Sequence, residues 1–137
     1  MDRLFVDTDV IIDLLDQRDP FYLPAAYLFS KADKKELKVI ISSLSFTSIH
    51  YVLRKNMTNL ESRKVLAKMK TFTQVGSVDE KIIDLALVSA FSDFEDAVQY
   101  YTALENMASV IITRNLRDYK KSAIPVMSAE GYLRSLI

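Results

Sequence analysis

The chain has 137 residues, 50% hydrophobic and 26% charged, which is enough apolar material for a packed core and too much for disorder; residues 1–137 read as one domain. With no cysteine, one histidine and two glycines, it cannot build a disulfide, a thiolate or multi-histidine metal site, a P-loop or a glycine-rich dinucleotide fingerprint. Lys plus Arg balance Asp plus Glu at 18 each, and no membrane span or signal leader is written in the sequence, so the expected location is cytoplasmic.

Leu4-Phe5-Val6 is a short apolar run ending in Asp7, after which Val10, Ile11, Leu14 and Leu15 recur at helical spacing. The pattern predicts strand, tight junction and helix, with Asp9 as helix N-cap and Asp7 at the carboxyl end of the strand. Ligands of open α/β sheets bind at that end, and a carboxylate buried there is costly without a cation or several donors. Asp7 is therefore the first candidate for chemistry, against the blander reading that it only terminates the strand.

The spacing then predicts a helix over 21–35, a strand over 37–41, a helix from Ser42 through Val52 and another opening at 57–59. A third strand falls at 71–75, closed by Gly76, and an amphipathic helix over 77–91. Ser92 and Glu95 have the spacing of a capping box, which makes Glu95 structural and leaves Asp93 and Asp96 at the start of a helix. A strongly apolar strand over 108–113 is followed by Arg114-Asn115-Leu116-Arg117-Asp118-Tyr119. A last strand over 124–127 leads into a closing helix capped by Ser128, with Glu130 near its positive end. Strands alternating with helices predict a largely parallel sheet with helices on both faces.

The charges are unevenly spread. Between Arg54 and Lys70 stand Arg54, Lys55, Arg63, Lys64, Lys68 and Lys70 against Glu61 alone, and between Asp79 and Glu105 seven acidic residues oppose Lys81. A basic and an acidic segment suit a phosphate track beside a metal site, although two solvated helix faces look the same. Asp7 after the first strand, Asp118 after the fourth and Asp96 on the helix leading into the fourth converge on one cleft if those strands are central neighbours. Clustered carboxylates repel, and a divalent ion held by oxygen, magnesium or manganese rather than zinc, is the usual remedy.

These stretches resemble the PIN domains, and within them the VapC type of toxin ribonuclease. The carriers are Val6 to Leu15, Asp93-Phe94-Glu95-Asp96-Ala97-Val98-Gln99 and Ile111 to Tyr119, and the resemblance covers nearly the whole chain. It implies a three-layer α/β/α sandwich, a Mg2+ or Mn2+ site of acidic residues, endonucleolytic cleavage of RNA, a homodimer and, for the toxin branch, a cognate antitoxin. Carried over by position, Asp7, Asp96 and Asp118 are the catalytic metal-site acids, Asp93 is an auxiliary, and Thr113 and Asn115 are supporting donors. Arg54, Lys55, Arg63, Lys64, Lys68, Arg114 and Arg117 are the expected RNA-backbone contacts. One position departs: Ser48 stands where the family places a glutamate, which removes a charge and a strong ligand. His50, the nearest ionisable neighbour, lies on another helical face and reads as a packed or surface residue. Two alternatives follow, a PIN-fold RNA- or protein-binding module that has lost catalysis and, more remotely, a haloacid-dehalogenase-like phosphatase using an aspartate nucleophile near Asp7.

Overall fold

The alternation of side chains along the first strand divides the core in two. Leu4 and Val6 point to one face of the sheet and Phe5 to the other, and all three are fully buried, so both faces must be covered. A computed structural model describes residues 1–137 and shows how. Its strands are β1 (Arg3–Val6), β2 (Lys38–Ser42), β3 (Gln74–Gly76), β4 (Val110–Ile112) and β5 (Val126–Met127), all parallel, in the order β3-β2-β1-β4-β5. Helices α1 (Thr8–Leu15), α2 (Tyr22–Asp33), α3 (Ser45–Leu53), α4 (Asn59–Lys70) and α7 (Ala129–Ser135) pack on the Leu4–Val6 face. Helix α6 (Phe94–Glu105) packs on the Phe5 face, with α5 (Glu80–Leu87) against it. The fold is the three-layer α/β/α sandwich expected, and no helix is long and apolar enough to cross a membrane.

The strand order places the site. From β1 the chain steps outward through β2 to β3 and then returns to the other side of β1 for β4 and β5. The connections on either side of the β1–β4 boundary therefore diverge, opening a crevice beyond the carboxyl ends of these two strands. Asp7 and Thr113 stand at those two ends.

Several predicted boundaries differ from those found: Ser42 belongs to β2 and α3 opens at Ser45, β3 runs Gln74–Gly76 instead of 71–75, and the limits of three further helices move. Helix α1 is capped by Asp7 and not by Asp9: the Asp7 amide still donates to Ile112 in the sheet, while its carboxylate already accepts from the Thr8 amide at 2.8 Å. Asp7 alone separates strand from helix, so Asp9 lies within the first turn. Helix α6 begins at Phe94, with Asp93 and not Ser92 as its cap, the Asp93 carboxylate accepting from the Asp96 amide at 2.9 Å. The Ser92–Glu95 box does not form, and Glu95 is free to face outward. Helix α5 runs only from Glu80 to Leu87, because the Ser89 hydroxyl donates to the Ala86 carbonyl and turns the chain, and Leu87 and Val88 beyond the packed stripe are largely exposed.

A buried ion pair ties α1 to the loop after β4. Asp13 is 1% exposed and meets the Arg114 guanidinium at 2.9 Å, while Arg114 also stacks over the Phe21 ring at 4.2 Å. Burial holds the Asp13 carboxyl above the usual range, with Arg114 opposing the shift, and its second oxygen has no hydrogen-bond partner. Arg114→Ala should therefore destabilise the protein by about 1–3 kcal/mol, less than for a fully buried pair because the guanidinium is partly wet. Replacing both partners by leucine should recover most of that loss in a melting experiment; equal melting of Arg114→Ala and wild type would show that the pair contributes nothing.

Candidate active site

Asp7 is 7% exposed and ends β1 at the floor of a cleft of about 660 Å³. Both its oxygens are engaged. One accepts from the Thr8 amide at 2.8 Å and the Gln99 side-chain amide at 3.2 Å; the other accepts from the Thr113 hydroxyl at 2.9 Å and the Tyr119 hydroxyl at 3.5 Å. These donors come from α1, α6, the end of β4 and the 3₁₀ turn Leu116–Tyr119, so four elements fix one carboxylate. Burial still holds the Asp7 carboxyl above the usual range, opposed by the Thr113 hydroxyl and reinforced by the nearby Asp9 charge.

Around this floor the cleft is lined by Asp9, Asp93, Glu95, Asp96 and Asp118, with Thr8, Thr47, Ser48 and Asn115 among the neutral groups. The three acids anticipated from sequence thus share one cleft, and Asp93 joins them while also capping α6. Asp96 carries the clearest mark of crowding: burial, then the charges of Asp93, Asp7, Asp118 and Glu95, push its carboxyl up to about 7. Glu95 is shifted upward for the same reasons, burial first and then Asp93, Asp7 and Asp9. Burial and the Asp7 charge likewise raise the Tyr119 phenol, which stays a protonated donor to Asp7.

The supporting residues sort differently from the acids. Thr113 binds Asp7 directly and accepts from the Asn115 amide, and the Asn115 side chain donates to Asp9 at 3.2 Å. Ser48 is on the exposed lip formed by α3, and no carboxylate replaces it there. Lys55, one α3 turn beyond Tyr51, holds its ammonium 5.7 Å from the centre of that ring, and Tyr51 itself lines the cleft. Arg63 borders a shallow surface pocket with Thr47 and His50, across α3 from the acids, and Arg54, Lys64, Lys68 and Arg117 are exposed. Arg114 is not brought to the acids, because Asp13 and Phe21 occupy its guanidinium. His50 packs through a 2.7 Å hydrogen bond to Ser62 and does not line the acidic cleft.

Sequence reading missed Asp9, Glu95, Gln99 and Tyr119. Asp9 reads from spacing as the cap of α1, two residues past the true cap Asp7, and Glu95 as the partner of a Ser92 cap, one residue before the true cap Asp93. Gln99 is a polar residue 4% exposed on the buried face of α6, and Tyr119 is 1% exposed. A glutamine inside an otherwise apolar helical face was the signal, since a buried amide needs partners.

The lining fits a hard divalent cation in its chemistry: every charged donor is a carboxylate oxygen, and the set repels itself when bare. The carboxylates are spaced, however, and no three converge as they stand into a single coordination shell. Magnesium tolerates that spacing, because it keeps several waters and reaches some ligands through them.

A family model described as PIN domain matches residues 3–117. Several solved structures share the fold. A toxin–antitoxin complex from Klebsiella pneumoniae is 20% identical over 92% of this chain and 97% of that chain, with a TM-score of 0.64. FitAcB from Neisseria gonorrhoeae is 13% identical over 93% and 98%, with a TM-score of 0.67. The sarcin–ricin loop cleaving toxin VapC20 of Mycobacterium tuberculosis is 18% identical over 79% and 86%, with a TM-score of 0.61. No curated protein matches the chain significantly. The phosphatase alternative falls with the family match, and no lysine lines the cleft to serve such a reaction.

The crowding has a consequence for stability without metal. Asp96 ionises near 7 when folded and near 3.8 when unfolded, so between these values the folded state binds more protons and stability falls as pH rises. In chelator the protein should melt higher at about pH 5 than at about pH 8, and a divalent ion should flatten the difference. Asp96→Asn should raise the chelator melting temperature at the higher pH. A melting temperature independent of pH across that window would remove the mutual repulsion from the account.

Proposed function

Because the chain belongs to the PIN domain family, we propose that it is a divalent-metal-dependent endoribonuclease acting as the toxin of a toxin–antitoxin pair. The observation that carries this reading is Asp7, a buried carboxylate at the sheet's switch point whose neighbours Asp96 and Asp118 share its cleft. In this reading these three acids hold magnesium or manganese, with Asp93 as auxiliary. A divalent ion held there would supply Lewis acidity, activating water and steadying the leaving oxygen of a phosphodiester. The protein's part is positioning. Thr113, Gln99, Tyr119 and the Thr8 amide hold the Asp7 carboxylate in one orientation, and Asn115 ties Asp9 to the loop that bears Asp118. Asp96, whose carboxyl is pushed up to about 7 by burial and its acidic neighbours, would have to be ionised to serve as a ligand.

Ser48 favours the second reading, a module that keeps the fold and has lost catalysis, because the α3 lip offers a hydroxyl in place of a carboxylate. Against that reading stand Glu95 and Asp9, which add two carboxylates to the cleft from the opposite lip and the floor, so the site is not short of negative charge. The exposed apolar residues Leu23 and Tyr27 on α2 and Leu87 and Val88 at the end of α5 support a protein partner, an antitoxin or a second copy of the chain. The exposed cations Arg54, Lys55, Arg63, Lys64, Lys68 and Arg117 support RNA-backbone contact outside the cleft.

Cleavage of RNA by purified protein with manganese, compared with Asp7→Asn and Ser48→Glu, tests the two readings. The nuclease reading expects metal-dependent cleavage that Asp7→Asn abolishes. If Glu95 and Asp9 compensate for Ser48, Ser48→Glu should change the rate by less than the roughly 10- to 100-fold typical of an altered ligand environment. No cleavage by wild type together with strong cleavage by Ser48→Glu would establish the impaired module instead.

A further inference from the structure

The residues lining the cleft include six carboxylates and neither lysine nor arginine. An RNA strand is itself a polyanion, so in the metal-free protein its phosphates cannot supply the affinity that brings it to the cleft floor; there the attraction must come from the rim and from uncharged contacts. The rim on the α3 side carries Ser48 and Tyr51, three residues apart on the helix, with Lys55 four residues further on, in the turn just past the helix end at Leu53. Tyr51 is 72% exposed, unusually open for so large an apolar surface, and it lines the same cleft as Asp7, Asp96 and Asp118. Its ring lies under the Lys55 ammonium, 5.7 Å from the ring centre, which places an aromatic plane and a cation side by side where the acidic lining ends. Tyr27 is comparably exposed but sits on α2, away from this lining, so exposure alone does not single out Tyr51.

We propose that Tyr51 and Lys55 form a nucleotide grip at the mouth of the cleft, in which the Tyr51 ring stacks on an unpaired nucleobase and Lys55 contacts the adjoining phosphate. The inference rests on the nuclease reading for the identity of the strand and adds what that strand must look like. A base can lie flat on the ring only when it is unstacked, so the grip selects single-stranded or looped RNA over duplex. Stacking is indifferent to base identity, because every base presents a π-face, so the grip confers preference for strandedness and little for sequence. It also explains how a cleft that repels phosphate admits one: the base is anchored outside, and a single neighbouring phosphate is carried inward over the Ser48 lip.

The test measures binding in chelator, where no cleavage occurs, using a short single-stranded RNA with one 2-aminopurine, the same backbone with abasic sites, and the annealed duplex. Wild type should bind the base-bearing strand about tenfold more tightly than the abasic one and quench the 2-aminopurine, in line with the usual effect of one stacked base. Tyr51→Ala should lose that preference and the quenching while keeping its affinity for the abasic strand. Tyr51→Phe should retain both, since the ring and not the hydroxyl does the stacking. Lys55→Ala should weaken both single strands alike and flatten the salt dependence. Equal wild-type binding of base-bearing and abasic strands, or an unchanged preference in Tyr51→Ala, overturns the grip and returns these side chains to a protein-facing surface. Metal-dependent cleavage abolished by Asp7→Asn with no Tyr51 effect sinks the grip alone. A Tyr51-dependent base preference without cleavage by any form sinks the nuclease reading and leaves the grip standing.

Discussion

The structure depends on keeping one carboxylate buried at the end of its central strand. Asp7 caps α1 with one oxygen and receives hydroxyl groups from Thr113 and Tyr119 on the other, while its amide still belongs to the sheet. Removing a carboxylate from water costs several kcal/mol unless donors replace the lost hydration, and four elements are folded inward to provide them. The junction between β1 and α1, the placement of Gln99 inside α6 and the burial of Tyr119 all answer that one requirement. Even so, the donors do not fully offset burial, and the carboxyl remains above its usual range. That residual instability is what a cation would relieve.

A second buried carboxylate works differently. Asp13, two turns along α1 from the cap, is neutralised by Arg114 from the loop after β4, and Phe21 covers the guanidinium. This clamp and the Asn115–Asp9 hydrogen bond fasten the loop carrying Asp118 to the helix that begins at Asp7. The Arg114–Asp13 clamp holds the loop of Asp118 from outside the cleft, and the Asn115 bond holds Asp9 within its lining. The position of Asp118 is set by packing and pairing, against the mutual repulsion of the acids, which would drive them apart. Arg114 therefore belongs to the frame, although its charge and its place after β4 made it a natural contact for RNA.

Charge is arranged in shells. The innermost is negative, and partial burial with the crowding of neighbouring carboxylates pushes the Asp96 carboxyl up to about 7. Lys55 stands at its edge and the α4 cations beyond, so a polyanion meets attraction before repulsion. A zero net charge conceals this arrangement entirely, because helices that are remote in sequence contribute the two signs.

Convergence of Asp7, Asp96 and Asp118 required β1 and β4 to be neighbours, which the fold supplied; the sequence alone determined the order of strands and helices, the need to cover both sheet faces and the carboxylates just beyond apolar strands. These follow from periodicity and from the position of carboxylates just beyond apolar strands, and both are local properties that survive without knowing what packs where. It also showed Ser48 as a missing charge. Only the tertiary structure decided which carboxylates cap helices and which face the cleft. A cap is assigned by the backbone angle of one residue, and here a shift of one or two positions moved Asp9 and Glu95 from structural roles into the cleft lining. Only the tertiary structure, likewise, paired Arg114 with Asp13, placed Gln99 and Tyr119 on Asp7 and set Tyr51 beside Lys55 at the cleft's mouth. The contacts to Asp7 and Asp13 join residues about 90 to 112 positions apart, and no spacing rule within a helix or strand carries information over such a separation.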